Sequence, residues 1–200
     1  MKDLAERRGM NTSVYQPAED SGLLAQAAID RAQGRVLEVG TGSGWVAAQI
    51  AEKTDTEVVA SDINPHACKQ AIGRAEKLRE EGHRGFDVVR GNLVGPFRDD
   101  VFDTVAFNPP YLPEHPDGTP QDDWMEQALT GGEDGRAVID PFLDSVGRVL
   151  KPDGEALLLV SSLSGYDEVL AHAEANGFDH EVAVQESYPF ETLTVLALSK

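Results

Sequence analysis

The chain has 200 residues, 40% of them hydrophobic, which suits one globular domain with a full core. No stretch approaches about 18 consecutive apolar residues, and the charged N-terminus lacks the apolar stretch of a signal peptide, so we expect a cytoplasmic protein with no membrane association. The formal net charge of -18 argues against direct binding of nucleic acid, and the spread of the acids along the chain favours a solvated surface like that of halophilic proteins.

The hydrophobic pattern predicts alternating helices and strands from Asp20 onward. The first 12 residues are polar, and we expect them to be flexible. Helices are predicted at Asp20–Arg31, Trp45–Lys53, Pro65–Glu80, Arg136–Leu150 and Gly165–Asn176. Strands are predicted at Arg35–Val39, Glu57–Ser61, Phe86–Arg90, Phe102–Phe107, Glu155–Val160, Phe178–Glu186 and Leu193–Leu198. Between Asn108 and about Glu133 lies a proline-rich segment that we predict to be a long, functional or disordered loop.

This alternation predicts an α/β fold, doubly wound and Rossmann-like, over residues 13–200. Strands that alternate with helices form a mostly parallel sheet covered on both faces. The last two strands are expected to add an antiparallel pair at one edge.

A glycine-rich loop follows the first predicted strand, in the segment from Glu38 to Gly44. Such a loop is weak evidence by itself, because dinucleotide-binding folds use a similar one. Glu38 would attract a cation, which suits S-adenosylmethionine better than a pyrophosphate. At the next two strand ends, Asp62 could accept both ribose hydroxyls and Asn92 could bind an adenine edge, with Ile63 or Leu93 against the ring. Each residue alone could equally serve helix capping or a turn.

The fourth strand ends in Asn108-Pro109-Pro110-Tyr111, which is the most specific motif of the chain. The two prolines stiffen the backbone and remove two N–H donors. The Asn108 amide oxygen and the Pro109 carbonyl then become two fixed acceptors for the two hydrogens of a planar NH2 group. Tyr111 offers a ring for stacking. The motif predicts methyl transfer to an amide or amine nitrogen by positioning, without a strong base.

These motifs resemble the HemK-like protein-glutamine N5-methyltransferases, a family of class I S-adenosylmethionine-dependent methyltransferases. The resemblance covers about Val14 to Lys200 and is greatest to the short archaeal and eukaryotic branch. The segment Val14 to Ser21 resembles the N-terminal element of that branch, which closes over the cofactor. It implies a seven-stranded sheet of order 3-2-1-4-5-7-6 with strand 7 antiparallel. It also implies modification of the glutamine of a Gly-Gly-Gln motif in the class I translation termination factor. Bacterial members carry an additional helical domain, for which we expect no room here.

The resemblance also implies which residues form the site. Asn108, Pro109, Pro110 and Tyr111 would be catalytic, and the loop at Gly131–Gly135 would lie near the substrate entrance. Relatives often carry Asp at the position of Asn92, although an amide can still donate and accept. The implied cofactor contacts are Tyr15, Pro17, Ser21, Glu38, Gly40, Gly42, Asp62, Ile63, Asn92, Leu93 and Asn108.

Members of this branch typically require a small zinc-binding activator protein, and the resemblance implies a heterodimer with it. The third strand of such a sheet lies at an edge, so Phe86–Arg90 is the predicted site of strand addition. No metal site is expected within the chain itself. Cys68 is the only cysteine and is predicted to be a buried thiol, and the five histidines show no ligand spacing.

Three other interpretations remain open at the level of sequence. An N6-adenine methyltransferase acting on DNA or RNA would use the same Asn-Pro-Pro-Tyr site, although the acidic chain lacks a basic arm. Another protein nitrogen, such as a lysine amine, would first need a base. A non-catalytic module could retain the fold without activity.

Overall fold

The computed structural model describes residues 14–112 and 124–200, apart from the side chains of Met125 and Glu126. The predicted flexible segment 1–12 and the central part of the proline-rich segment, 113–123, lie outside the described residues. Within the described ranges, no helix is both long enough and apolar enough to cross a membrane.

Six α-helices, seven strands and a short 3-10 helix at Ser162–Ser164 make up the described secondary structure. The helices are α1 Glu19–Arg31, α2 Trp45–Lys53, α3 Pro65–Glu80, α4 Trp124–Leu129, α5 Ile139–Val149 and α6 Tyr166–Ala175. The strands are β1 Arg35–Val39, β2 Glu57–Asp62, β3 Asp87–Arg90, β4 Phe102–Phe107, β5 Leu150–Ser161, β6 Asp179–Tyr188 and β7 Glu191–Ser199. These bounds match most predicted elements to within a few residues.

The strands form one seven-stranded sheet in the order β3-β2-β1-β4-β5-β7-β6. Strands β3, β2, β1, β4 and β5 pair in parallel, whereas β7 runs antiparallel to both β5 and β6. The predicted doubly wound Rossmann-like fold and its strand order are therefore confirmed. Strand β3 lies at one edge of the sheet, as predicted for Phe86–Arg90.

Side chains of the central strands alternate between two apolar layers. In β5, Leu157 and Leu159 pack with α1, α2 and α3, whereas Leu158 and Val160 pack with α5 and α6 on the opposite face. Strand β5 is enclosed on both faces, because these four side chains are 0% exposed. A central strand buried on both faces needs the continuous apolar run that the sequence shows here.

Two local predictions were wrong. The stretch from Asn108 to Glu133 was expected to lack regular structure, but it contains α4 and a parallel bridge from Leu112 to Thr130. Phe86 was assigned to the edge strand, but it is 2% exposed in the core and β3 begins at Asp87. Tertiary contacts decide both cases.

Gly44 allows α2 to lie close to α3. Its φ is +76°, and a Cβ atom added there would lie 2.8 Å from the Cα atom of Ala71. Because strain and a backbone clash would add, we expect Gly44→Ala to lower the free energy of unfolding by about 2–3 kcal/mol. Urea denaturation would measure the change.

Gly73 in α3 is a matched control, because a Cβ atom there meets nothing within 4 Å. Gly73→Ala should stabilise the protein by about 0.5–1 kcal/mol, since alanine is the better helix former. Equal stabilities of the two alanine variants would show that Gly44 is not required for the helix contact.

Candidate active site

The glycine-rich loop after β1 lies between the N-terminal segment and the end of β4. Gly40 and Gly42 have φ values of +64° and +53°. A Cβ atom at Gly40 would lie 3.1 Å from the Phe107 ring, and one at Gly42 would lie 3.3 Å from the Tyr15 carbonyl oxygen. Glycine keeps this junction open, with Gly40 itself exposed to solvent.

Glu38 is a buried carboxyl group, 4% exposed, beneath this loop. Its Oε2 atom accepts hydrogen bonds from the Thr41 hydroxyl and from the Ala47 amide at 2.9 Å, so it caps the start of α2. Burial raises the pKa of Glu38 to about 8, and the two hydrogen bonds oppose that increase. Burial therefore favours the protonated form of the Glu38 carboxyl near neutral pH.

This raised pKa predicts a pH dependence of stability. Between pH 4.5 and about 8 the folded protein keeps the Glu38 proton, whereas the unfolded chain has released it. The stability that this difference provides is fully present below pH 4.5 and is lost as the pH rises to about 8. Glu38→Gln lacks this titration. We expect the stability of Glu38→Gln relative to wild type to rise steadily from pH 5 to pH 8, measured by urea denaturation.

The matched control is Glu52→Gln, since Glu52 lies exposed on the same helix α2. Its stability difference from wild type should stay nearly constant over that pH range. A constant difference for Glu38→Gln as well would mean that the native Glu38 carboxyl titrates normally.

Asp62 at the end of β2 holds the glycine loop against the neighbouring strand. Its Oδ2 accepts from the Gly42 amide and its Oδ1 from the Asn64 amide, both at 2.8 Å. Burial raises the pKa of this carboxyl, against the lowering effect of its backbone donors. Ile63 beside it is 48% exposed, so its side chain is accessible at the end of β2.

The end of β3 lies next to the end of β2. The Gly91 amide donates to the Asp62 carbonyl oxygen at 3.0 Å. Asn92 is exposed, and Leu93 is partly buried in the left-handed conformation at φ 47°. The structure therefore brings the predicted residues at the carboxyl ends of β1, β2 and β3 together at the carboxyl-terminal end of the sheet, as Rossmann-like folds do.

The Asn-Pro-Pro-Tyr motif follows β4 at the same carboxyl-terminal end of the sheet. Asn108 donates from Nδ2 to Oδ2 of Asp20 at 3.0 Å. Its Oδ1 atom is buried and has no hydrogen-bond partner in the described part of the chain. Pro109 is buried, and Pro110 is partly buried. The motif thus presents one orphaned acceptor on a stiff backbone.

Asp20 in the first turn of α1 is a site residue that sequence analysis missed. It is 5% exposed, and its oxygens accept from the Tyr15 hydroxyl at 2.9 and 2.8 Å and from the Ser21 amide at 2.6 Å. The carboxylate joins Tyr15 and Ser21, both predicted cofactor contacts, to Asn108. Pro17 is partly buried in the intervening turn. The sequence signal was slight, because an acid near a helix start is common.

A second carboxylate that sequence analysis missed is Glu191 at the start of β7, which forms a hydrogen bond with Tyr111. Burial raises the pKa of Tyr111 above its ordinary value, with further contributions from Asp20 and from the hydrogen bond to Glu191. The Ser161 hydroxyl also donates to Glu191, at 2.6 Å. Tyr111 therefore stays neutral at physiological pH and offers a ring and a hydroxyl, not a base.

The loop Gly131–Gly135 packs against the Asn-Pro-Pro-Tyr motif. The Gly131 amide donates to the Leu112 carbonyl oxygen at 2.8 Å. A Cβ atom at Gly135 would lie 2.6 Å from the Tyr111 carbonyl oxygen. The loop is therefore adjacent to Tyr111, while its role as a substrate entrance remains a prediction.

The chain is similar to known methyltransferases. A family model described as "Methyltransferase small domain" matches residues 15–126. A putative protein N5-glutamine methyltransferase of Methanocaldococcus jannaschii is 36% identical over 188 residues, which are 94% of this chain and 92% of that protein. The chain belongs to the protein N5-glutamine methyltransferase family. The human methyltransferase HEMK2 is 33% identical over 203 residues, 96% of this chain and 92% of the human protein.

A solved structure of this family has the same fold. It is the E. cuniculi Mtq2–Trm112 complex, responsible for methylation of the eRF1 translation termination factor. The similarity has a TM-score of 0.73 and 29% sequence identity, and it covers 94% of this chain and 99% of that one. The present chain is accordingly an enzyme, a methyltransferase that uses S-adenosylmethionine.

The residues present fit that methyl donor. Two carboxyl groups, the buried Glu38 and the partly buried Asp62, border the glycine loop and can accept from a cation and from hydroxyls. The orphaned Asn108 oxygen lies at the neighbouring strand end. Over residues 14–112 and 124–200, no group of three or more His, Cys, Asp or Glu could hold a metal ion.

Proposed function

We propose that this enzyme methylates the side-chain nitrogen N5 of the glutamine in the Gly-Gly-Gln motif of the class I translation termination factor. The observation that carries the proposal is the buried, unpartnered Oδ1 of Asn108, at the strand end beside the glycine loop. A primary amide is the group that such an acceptor would bind through its N–H donor. The substrates named for the Mtq2–Trm112 complex and the M. jannaschii protein support this choice.

S-adenosylmethionine supplies, when bound, an electrophilic methyl group on a sulfonium; its transfer to the nitrogen would break the S–CH3 bond, leave S-adenosylhomocysteine as the product and release one of the two N–H protons to solvent. We assign Glu38 to the positive end of this molecule, and Asp62 to its ribose hydroxyls. Asn92 would meet the adenine edge, with Ile63 and Leu93 against the ring. The remaining contacts would come from the glycine loop and the segment above it, namely Gly40, Gly42, Tyr15, Pro17 and Ser21.

The Asn-Pro-Pro-Tyr residues would act by holding the glutamine amide. The Asn108 Oδ1 atom and the Pro109 carbonyl accept one N–H hydrogen each, so the nitrogen presents its remaining face to the methyl group. An amide lone pair is delocalised, and two fixed acceptors favour its localisation as the new bond forms. Pro109 and Pro110 keep these acceptors in place, which supplies orientation. The neutral Tyr111 ring would stack on the amide plane.

We further propose a small zinc-binding activator protein as the partner, bound by strand addition at β3. The topology supports this, because β3 pairs with β2 on one side only. The Trm112 subunit named with Mtq2 supports a small partner. We place the enzyme in the cytoplasm as one methyltransferase domain over residues 13–200, with its acid surplus as a solvated, salt-adapted surface.

Mass spectrometry of the termination factor tests this proposal directly. The enzyme, co-expressed with the activator, is incubated with the factor and S-adenosylmethionine. We expect one added methyl group on the Gly-Gly-Gln glutamine, and none on a factor in which that glutamine is replaced by alanine. Methylation of adenine in DNA or RNA oligonucleotides, with no change in the factor, would favour the nucleic-acid alternative.

A further inference from the structure

The Asp20 carboxylate is the strongest feature that the proposed chemistry does not yet use. It lies 88 residues before Asn108 in the chain, and its side chain is nearly buried, at 5% exposure. As a carboxylate it can accept hydrogen bonds but cannot donate them. Its hydrogen bonds come from the Tyr15 hydroxyl, the Ser21 amide and hydroxyl, and the Asn108 amide group, all of them neutral. Burial of a carboxylate among neutral donors costs free energy, which the position of Asp20 in the first turn of α1 offsets in part.

A carboxylate imposes one orientation on the amide it contacts. An asparagine side chain has a donor end and an acceptor end, related by a half-turn about its last torsion. The Asp20 oxygens can only accept, so they select the orientation in which Nδ2 of Asn108 points to them. The reverse orientation would place two oxygens in contact. Oδ1 is consequently the end left without a partner.

We infer that Asp20 is a positioning residue for methyl transfer: it fixes the Asn108 amide so that an acceptor, not a donor, faces the substrate nitrogen. The inference rests on the proposed glutamine chemistry and deepens it. An NH2 substrate brings two hydrogens, so a reversed Asn108 would set donor against donor. Asp20 also holds Tyr15 and Ser21 and thereby links the N-terminal segment to the catalytic asparagine.

An exchange of the two residues tests this role. In Asp20→Asn the new amide can donate to Asn108, and the reversed orientation becomes available. We expect kcat for the termination factor, measured with the activator bound and at saturating S-adenosylmethionine, to fall at least about 100-fold. Asn108→Asp alone places two carboxylates in contact and should be similarly impaired.

The double variant Asp20→Asn/Asn108→Asp restores the polarity. The amide at position 20 donates to one carboxylate oxygen at position 108, and the second oxygen faces the substrate as an acceptor. We expect its kcat to exceed that of either single variant at least about tenfold. A purely structural role of Asp20 at the start of α1 predicts no such recovery. Asp30→Asn, the same change at an exposed position of α1, should leave kcat unchanged.

A readout without substrate separates this inference from the proposed function. In 15N-labelled protein, the Asn108 side-chain NH2 signals are identified by their absence in Asn108→Asp. One of these protons should exchange slowly with water in the wild type and quickly in Asp20→Asn, or in Asp20→Ser if the asparagine variant does not fold. Unchanged exchange in the folded variant, or a double variant no more active than the singles, overturns the role of Asp20. If the wild-type enzyme does not methylate the glutamine, the proposed substrate is refuted, but the role of Asp20 in orienting Asn108 is not.

Discussion

Asn108→Ala is expected to lower kcat for methylation of the termination factor about 10³-fold while leaving the fold intact. The substitution removes the orphaned acceptor Oδ1 that we assign to the substrate nitrogen. Loss of one preorganised hydrogen-bonding group that acts on the reacting centre typically costs a factor of about 10²–10³. Because the oxygen is unpartnered in the native protein, only the bond from Nδ2 to Asp20 is lost, and we expect stability to fall by no more than about 1–3 kcal/mol.

The measurement is single-turnover methylation, followed by mass spectrometry, with the activator present. Asn176→Ala provides a matched control, because the Nδ2 of Asn176 also donates to an aspartate, Asp144, at 3.1 Å but lies at the end of α6. Its kcat should equal that of wild type. An Asn108→Ala enzyme as fast as the control would exclude the Asn108 oxygen from catalysis.

Asp62→Ala is expected to weaken binding of S-adenosylmethionine at least about 100-fold. Two effects add. The ribose hydroxyls lose a charged acceptor, at about 1.5–3 kcal/mol for each hydrogen bond, and the amides of Gly42 and Asn64 lose the oxygens that hold the glycine loop. Isothermal titration calorimetry with S-adenosylmethionine measures the change in Kd.

Asp103 offers the corresponding control at the opposite end of the sheet. Its Oδ2 accepts from the backbone amide of Arg35 at 2.8 Å, as the Asp62 oxygens do from theirs, but it lies near the start of β4. Asp103→Ala should bind S-adenosylmethionine with the wild-type Kd. If both aspartate variants weakened binding equally, the effect would come from general loss of stability and the assignment of Asp62 would be abandoned.

The observed site adds carboxylate partners to the groups that the sequence singled out. The motif was expected to act through the Asn108 oxygen, the Pro109 carbonyl and the Tyr111 ring. Two of these groups form hydrogen bonds with carboxylates: Asn108 with Asp20, and Tyr111 with Glu191. A motif of four residues therefore depends on side chains from α1 and β7, which determine how its polar groups are presented.

The sequence by itself determined the parallel sheet, its two helical layers and the strand ends at which the candidate ligand-binding loops lie. These features have local patterns: apolar runs for buried strands such as β5, helical periodicity between them, and polar residues such as Asp62 at strand ends. Since parallel strands place their carboxyl ends together, position along the chain was enough to predict that these ends would share one edge. The Asn-Pro-Pro-Tyr motif was specific because two prolines restrict the backbone regardless of context.

Only the tertiary structure decided which partners those residues have. Asp20 meets Asn108 across 88 positions of sequence, and Glu191 meets Tyr111 at a similar remove, with no periodicity that links either pair. Helix α4 likewise forms in a segment whose composition favoured a loop, where Leu112 and Thr130 form a bridge. Such contacts depend on how the elements pack in space, and side-chain type and spacing along the chain carry little information about it.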